Sequence, residues 1–345
     1  MLNAEARRVG ATVAFATCLL YSAFSIQPSA LPLQILRSTG AMPAHAAGSF
    51  DIAACHIAPG GDYLVFDRRA HGVHRVTRAG EVSTIVQVGI EPGRILSPLA
   101  FDSAGDGTFV IADSPTGVDR VQVFFHMGGT VGGFTLPGRS VPRVAVGNLV
   151  LSGIGSLDYT GRTVLISQPD SGALISEYSL DGRILRTFGE LRATGHEHDR
   201  DLHLALNAGV PMTLPATAGF YFVFLGGVPM FRKYDTAGAL VFERHIEGVE
   251  IDRHIQSLPN SWPRRRTPVG EIPIVPPTVR AASVDPDGKL WVSLATPHTY
   301  VYDIGGDKVR AVQFSAAGVM TPSHFYFAPD GRLLVAPGCY AFNWR

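Results

Sequence analysis

The densest set of side chains able to bind a metal lies between residues 196 and 203. It combines imidazoles with carboxylates, in the order His196, Glu197, His198, Asp199, Asp201 and His203. These two ligand types together suit zinc, and His-x-His in an extended segment places both rings on one side. The segment therefore predicts a metal site at His196, His198 and His203. The alternative is a solvated connecting loop.

Four other histidines occupy matching places in repeated stretches of the sequence. His71 and His298 each follow the second strand of a repeat, whereas His56 and His324 lie in first strands. If the repeats form a ring, loops of different repeats share one face of it. We expect this face to carry a ligand site that uses these four residues. The alternative is that each ring packs or hydrogen-bonds locally.

Other motifs that carry chemistry are scarce. The aspartates that recur at predicted turns fit turn hydrogen bonding: Asp102, Asp106, Asp285, Asp287 and Asp330. The sequence contains no nucleophile elbow, phosphate-binding loop or paired-cysteine motif. Arg264–Arg266 beside Trp262 suit an acidic partner or, alternatively, a solvated loop.

The elements that must position these residues are short strands in a repeated phrase. A strand runs into a turn with Asp or Gly and then into a second apolar strand, as at 282–292, 325–335 and 55–65, and more loosely at 101–110 and 157–165. A repeat of roughly 40–50 residues with four strands per unit indicates a β-propeller.

The units predict an all-β, six-bladed β-propeller over residues 50–345. The blades fall at about 50–89, 95–137, 142–190, 209–248, 278–316 and 322–345, with long connections at 191–208 and 249–277. The last unit has room for three strands, and a ring must be closed. We expect Pro32–Arg37, in the N-terminal segment 26–49, to supply the missing outer strand.

The repeats resemble six-bladed propellers of the NHL and TolB-like kind. The matching phrases are Asp285–Val292, Ile111–Ser114 and Arg120–Phe124, and the resemblance covers about residues 50–345. It implies a protein-binding scaffold, although some NHL-type lyases bind zinc through histidines. More distantly, the chain resembles senescence-marker-protein/gluconolactonase-like propellers, which implies a divalent metal, calcium or zinc, at the channel mouth.

The N-terminus predicts an exported protein. Arg7 and Arg8 precede the uncharged run Val9–Ile26, and Ala23 and Ser25 suit a cleavage site. Residues 1–25 are therefore an export signal or an uncleaved anchor, and the protein is periplasmic or extracellular. Export permits a disulfide between Cys55 and Cys339, which the closed ring would bring near each other; two separate buried thiols are the alternative.

The charge balance limits the classes of partner. The 345 residues carry 29 Lys and Arg against 29 Asp and Glu, so no net field attracts nucleic acid, and only an N-terminal anchor would contact membrane. The sequence favours an exported binding protein or scaffold whose loop face recognises a protein, peptide or small molecule. A metal-dependent hydrolase or lyase at the channel mouth is the alternative.

Overall fold

The computed structural model describes residues 31–136, 144–146, 149–151, 156–215, 218–267 and 270–345. The predicted export signal lies outside this part of the chain. Residues Leu31–Arg345 form one compact unit. No helix among the described residues has both the length and the apolar character needed to cross a membrane.

Short strands make up most of the described chain. In order, its first half contains β1 (Leu33–Ala41), α1 (Ala44–Ala47), β2 (Ile52–Ile57), β3 (Tyr63–Asp67), β4 (Gly72–Val76), β5 (Val82–Val88), β6 (Arg94–Ile95), β7 (Pro98–Ser103), β8 (Thr108–Asp113), β9 (Arg120–Phe125), β10 (Thr130–Thr135), β11 (Val144–Val146), β12 (Leu149–Leu151), β13 (Leu157–Tyr159), β14 (Thr163–Ser167), β15 (Ile175–Ser179) and β16 (Ile184–Phe188).

The second half adds two helices and the remaining strands. These are α2 (Arg200–Leu206), β17 (Gly209–Thr213), β18 (Phe220–Phe224), β19 (Met230–Tyr234), β20 (Leu240–His245), α3 (Val249–Gln256), β21 (Arg264–Thr267), β22 (Gly270–Val275), β23 (Val279–Val284), β24 (Leu290–Leu294), β25 (Thr299–Tyr302), β26 (Lys308–Ser315), β27 (Val319–Met320), β28 (His324–Phe327), β29 (Arg332–Ala336) and β30 (Tyr340–Asn343). Single 3-10 turns lie at Pro115–Gly117 and Pro169–Ser171.

Successive strands form four-stranded antiparallel sheets of the propeller type. The sheets β2–β5, β7–β10, β13–β16, β17–β20 and β23–β26 each run from an inner to an outer strand. The predicted all-β propeller class is therefore confirmed. The number of blades stays a prediction, because the stretch between residues 137 and 155 is described only in part.

The N-terminal strand closes the ring. β1 pairs antiparallel with β30, with Ser38 opposite Phe342, and parallel with β26, with Leu33 opposite Ala311. β1 thereby becomes the outer strand of the last blade, β28–β30, through residues 38–41. The predicted segment Pro32–Arg37 instead contacts the preceding blade, because Leu33–Arg37 pair with β26. Leu36 faces inward and is 7% exposed.

In the repeated sequence motif, an aspartate and a glycine shape the turn between the first two strands. Asp285 Oδ1 accepts the backbone N–H groups of Asp287 and Lys289 at 3.0 and 2.9 Å. Gly288, with φ at +83°, adopts the left-handed conformation that this turn needs. The turn therefore fixes where β23 ends and β24 begins.

Adjacent blades bury both faces of their middle strands. Leu290 and Val292 of β24 pack into the apolar cluster that includes β18 and β19, whereas Trp291 points the other way, into the cluster shared with β28–β30. This alternation follows from the period of two in a strand.

One sheet lies outside the blades. β11 pairs in parallel with β22, with Ala145 opposite Ile274, and the order of the sheet is β12-β11-β22-β21. The prediction that residues 142–151 belong to the blade ending at 190 is therefore wrong. The inner strand of that blade is β13, because β11 and β12 instead join β21 and β22 of the 249–277 connection.

The two chain ends are also joined covalently. Cys55 of β2 and Cys339, in the turn between β29 and β30, form a disulfide with their Cα atoms 5.7 Å apart. Both residues are buried. The bond ties the first blade to the last.

Candidate functional site in the central channel

The inner strands of the blades end at matching positions around the channel. The last residue of each pairs with the first or second residue of the following strand, next to the connecting turn, so the penultimate residues are equivalent. They are His56, Asp102, Asp158, Met212, Ser283 and Tyr326. Titratable side chains thus come together from four blades, which no single repeat shows by itself.

The structure brings His56 and His324 into direct contact. Their Nε2 atoms lie 2.7 Å apart, and His56 Nδ1 lies 2.5 Å from Ser103 Oγ. One ring must donate its N–H to the other, so the two imidazoles hold opposite tautomers at Nε2. His56 also stacks on Tyr326, with ring centroids 4.1 Å apart. The result is a continuous hydrogen-bonded chain from Ser103 to His324.

Both imidazoles are neutral at neutral pH. Burial, and next the neighbouring His324, hold the pKa of His56 well below its usual value. Burial, and next the positive charge of Arg68, lower the pKa of His324 to about 4. A proton can therefore shift along the chain without forming a stable imidazolium.

Two aspartates on neighbouring inner strands behave in the opposite way. Asp102 accepts the N–H groups of Tyr159 and Ser103 at 2.7 and 2.8 Å, yet burial and then the charge of Asp158 raise its pKa well above the usual value. Asp158 accepts from Thr213 N and Oγ1 at 3.1 and 2.7 Å, and burial raises its pKa to about 6. Burial of both carboxyls thus favours the protonated form, and for Asp102 the charge of Asp158 adds to this effect.

These residues border a cavity of about 190 Å³ inside the ring. Its wall includes His324, Asp102 and Asp158, together with two arginines, Arg68 and Arg280. A concave site in which a few polar groups converge is typical of a ligand site. The channel is therefore the candidate site.

The stability of the protein should depend on pH through Asp158. In the unfolded chain this carboxyl ionises near 3.8, whereas in the folded protein its pKa is about 6. The contribution of Asp158 to the free energy of unfolding is therefore fully present below pH 3.8 and is lost as the pH rises to about 6. Asp158→Asn should remove this loss, so that the variant gains about 2 kcal/mol relative to wild type between these limits.

Urea unfolding of both proteins across this pH range measures the difference. His324 acts in the opposite sense, because its lowered pKa destabilises the fold as the pH falls from 6.5 to about 4. Its contribution is common to both proteins and cancels in the comparison. A constant difference between wild type and Asp158→Asn would contradict the raised pKa.

The other predicted site histidines remain at separate positions in the loops. His71 ends the turn between β3 and β4 in a left-handed conformation, with φ at 50°. His298 precedes β25, and its Nδ1 lies 3.4 Å from Thr296 Oγ1. Their role in a ligand site stays a prediction.

The 196–203 segment is a turn leading into α2. The rings of His196 and His198 have centroids 6.3 Å apart, and His203 Nδ1 lies 2.8 Å from Thr194 Oγ1. Asp199 caps α2 by accepting from Leu202 N. Across the residues that the structure describes, no three His, Cys, Asp or Glu side chains form a group that could hold a metal ion.

This segment does line a second cavity, which we call the loop-face cleft. It measures about 690 Å³ and lies between the 191–206 connection, β19 and β20, and the residues after α3. His196, Arg232, Glu243 and Trp262 contribute to its wall.

Sequence reasoning missed most of the channel residues. Asp102 was assigned to turn hydrogen bonding, but its carboxylate instead accepts an N–H group from the next inner strand. Asp158, Ser103, Arg68 and Arg280 were not singled out. The usable signal was the register of the repeated phrase, which places Asp102 and Asp158 at the position that His56 occupies.

Comparisons with known proteins show the fold and nothing finer. No protein-family model and no curated protein matches the chain. A streptogramin B lyase structure aligns with a TM-score of 0.50 and 12% identity, covering 84% of this chain and 76% of that one. Virginiamycin B lyase from Staphylococcus aureus gives 0.49 and 9%, covering 84% and 92%. A protein of unknown function from Bacteroides caccae gives 0.47 and 10%, covering 76% and 81%.

Proposed function

We propose that the protein is an enzyme that performs acid–base chemistry on a small molecule in its central channel, as a lyase or hydrolase. The observation that carries the proposal is that one channel holds two hydrogen-bonded histidines with lowered pKa values and a carboxyl, Asp102, with a raised pKa. Groups whose surroundings push their pKa values apart are the usual sign of assigned acid and base roles.

In an elimination, a base takes a proton from carbon while an acid protonates the leaving group. His324, which lines the cavity, accepts the proton, and His56 and Ser103 extend its hydrogen-bonded chain. Asp102 donates its proton to the departing atom as that bond breaks and the new double bond forms. Hydrolysis would use the same pair, with water as the group that His324 deprotonates.

The proposal uses no metal ion. The resemblance to metal-binding propellers implies calcium or zinc, but His56 and His324 bond directly to each other through Nε2. A metal between them would need each nitrogen about 2.0–2.1 Å away on its own side. The channel residues as placed therefore do not form its ligand set, and the described chain offers no other.

The fold neighbour suggests the first substrate to try. A streptogramin B lyase has the same fold, and quinupristin accompanies a virginiamycin B lyase variant in another solved structure. Quinupristin and a panel of lactones are accordingly the first compounds, analysed by mass spectrometry. A product of unchanged mass from a cyclic substrate indicates a lyase, and a product heavier by one water indicates a hydrolase.

Loss of either acid–base group should abolish most of the activity. With the substrate so found, His324→Gln and Asp102→Asn should each lower kcat about 100-fold or more, because each removes a proton-transfer group. His126→Gln is the matched control, since His126 contacts Gly107 at the periphery. Full activity in both channel variants would contradict the assignment.

A binding protein is the second candidate, and the loop-face cleft favours it. Trp262 and Met230 offer apolar surface beside Arg232, which pairs with Glu243. Half-buried Arg192, whose pKa is lowered to about 10 first by burial and then by Arg232, adds a second cation. The cleft thus fits an amphipathic anion.

The dye anilinonaphthalene sulfonate is a suitable probe for the cleft. Trp262→Ala should weaken its binding, whereas His324→Gln should not, as followed by dye fluorescence. If neither quinupristin nor any of the lactones is turned over, and dye binding depends on Trp262, the result would favour a binding protein over an enzyme. The predicted export of the protein is compatible with both functions and is itself a proposal, testable by locating the protein in cell fractions.

A further inference from the structure

We propose that the channel selects a small oxyanion, such as a carboxylate, and holds it with Arg68 and Arg280. This inference rests on the proposed function and names the substrate class of the same site. Both arginines line the 190 Å³ cavity that His324 also lines.

Neither guanidinium has a hydrogen bond or ion pair to another described residue. The charge of Asp51 raises the pKa of Arg68, but burial lowers it by more. Both side chains are exposed to solvent, and the exposed surface of Arg68 lines the cavity inside the ring. The surrounding protein lowers the pKa of Arg68, which shows that its charge is poorly solvated. A bound anion would relieve that cost.

The local backbone accounts for the direction of Arg280. Between the pairs Val279–Leu294 and Ala281–Ser293, Arg280 has no partner and is the extra residue of a β-bulge. The same bulge occurs in β2 at Ala53 and in β7 at Leu99. All three bulge residues line the cavity, and Arg280 is the charged one. Bulges commonly turn a side chain toward a functional site.

The carboxyls of the cavity do not neutralise the two arginines. Asp102 and Asp158 stand at the opposite, turn-side ends of their strands and accept backbone N–H groups there. Positive charge is therefore concentrated at the end of the cavity where the arginines lie. A substrate with its oxyanion at the arginines would lie beside His324, at the start of its strand, and direct its other end toward Asp102.

Malonate and its neutral analogue malonamide are matched probes, with binding measured by titration calorimetry on the whole protein. Wild type should bind malonate at least about tenfold more tightly than malonamide, because only the carboxylate forms charge-assisted hydrogen bonds with the arginines. Arg68→Gln and Arg280→Gln should each weaken malonate binding about tenfold or more. Arg162→Gln, which removes the same charge at an exposed turn, should leave it unchanged.

Three results would overturn the inference: no malonate binding by wild type, equal affinity for malonamide, or unchanged affinity in both channel arginine variants. The outcome is separable from that of the proposed function. Normal turnover in His324→Gln with arginine-dependent malonate binding would remove the acid–base assignment and keep the anion site. Loss of turnover in His324→Gln, together with malonate binding that is unchanged in both arginine variants, would keep the acid–base assignment and remove the anion site.

Discussion

A chain that lacks residues 31–41 should unfold at a much lower urea concentration than the chain that retains them. Those residues contain β1, whose removal takes away a ladder to β30 and another to β26. It also exposes the apolar cluster that Leu36 covers. Burying one such side chain contributes about 1.5–3 kcal/mol, so we expect a total loss of roughly 4 kcal/mol or more.

Single substitutions on the two faces of β1 provide the control. Leu36 is 7% exposed and Ile35 is 52% exposed, although both are apolar and adjacent. Leu36→Ser should therefore cost about 2–4 kcal/mol, and Ile35→Ser close to nothing. An unchanged unfolding midpoint in the truncated chain would show that the ring is stable without its closing strand.

The strands could be predicted from the sequence because their signals are local. Ile52–Ile57 and Ile184–Phe188 have the predicted bounds, since apolar alternation and a Gly or Asp turn define both ends. β11 was misassigned for the opposite reason. Its partner β22 lies far along the chain, and a parallel pairing leaves no local turn signal.

The site was only partly predictable, because it exists only when the ring is closed. His56 and His324 are separated by 268 positions in the chain, yet both could be singled out because each lies in the first strand of its repeat. Asp102 and Asp158 look like ordinary turn aspartates until the neighbouring blade is present. Nothing local distinguishes Arg280 from a surface arginine, since its direction depends on a bulge in β23.

Trp291→Ala should destabilise the protein by about 3–5 kcal/mol, the usual loss for a large aromatic residue removed from a core. Trp291 is fully buried, and its rings pack edge-on against Phe327 and Trp344 of the last blade. The guanidinium of Arg310 lies 5.2 Å from its ring centre. Truncation would thus leave a cavity between two blades and remove a cation–π contact at once.

Trp291→Phe separates the packing from the hydrogen bond. Trp291 Nε1 donates to Asp285 Oδ2 at 2.9 Å, and the other oxygen of Asp285 caps the turn into β24. Phenylalanine keeps most of the apolar volume but leaves a buried carboxylate oxygen without its donor, which should cost about 1–3 kcal/mol. Trp262→Ala, at a half-buried position in the loop-face cleft, should cost less than Trp291→Ala. Urea unfolding of the three variants gives the order directly, and a cost below about 1 kcal/mol for Trp291→Ala would mean that the blades do not depend on this contact.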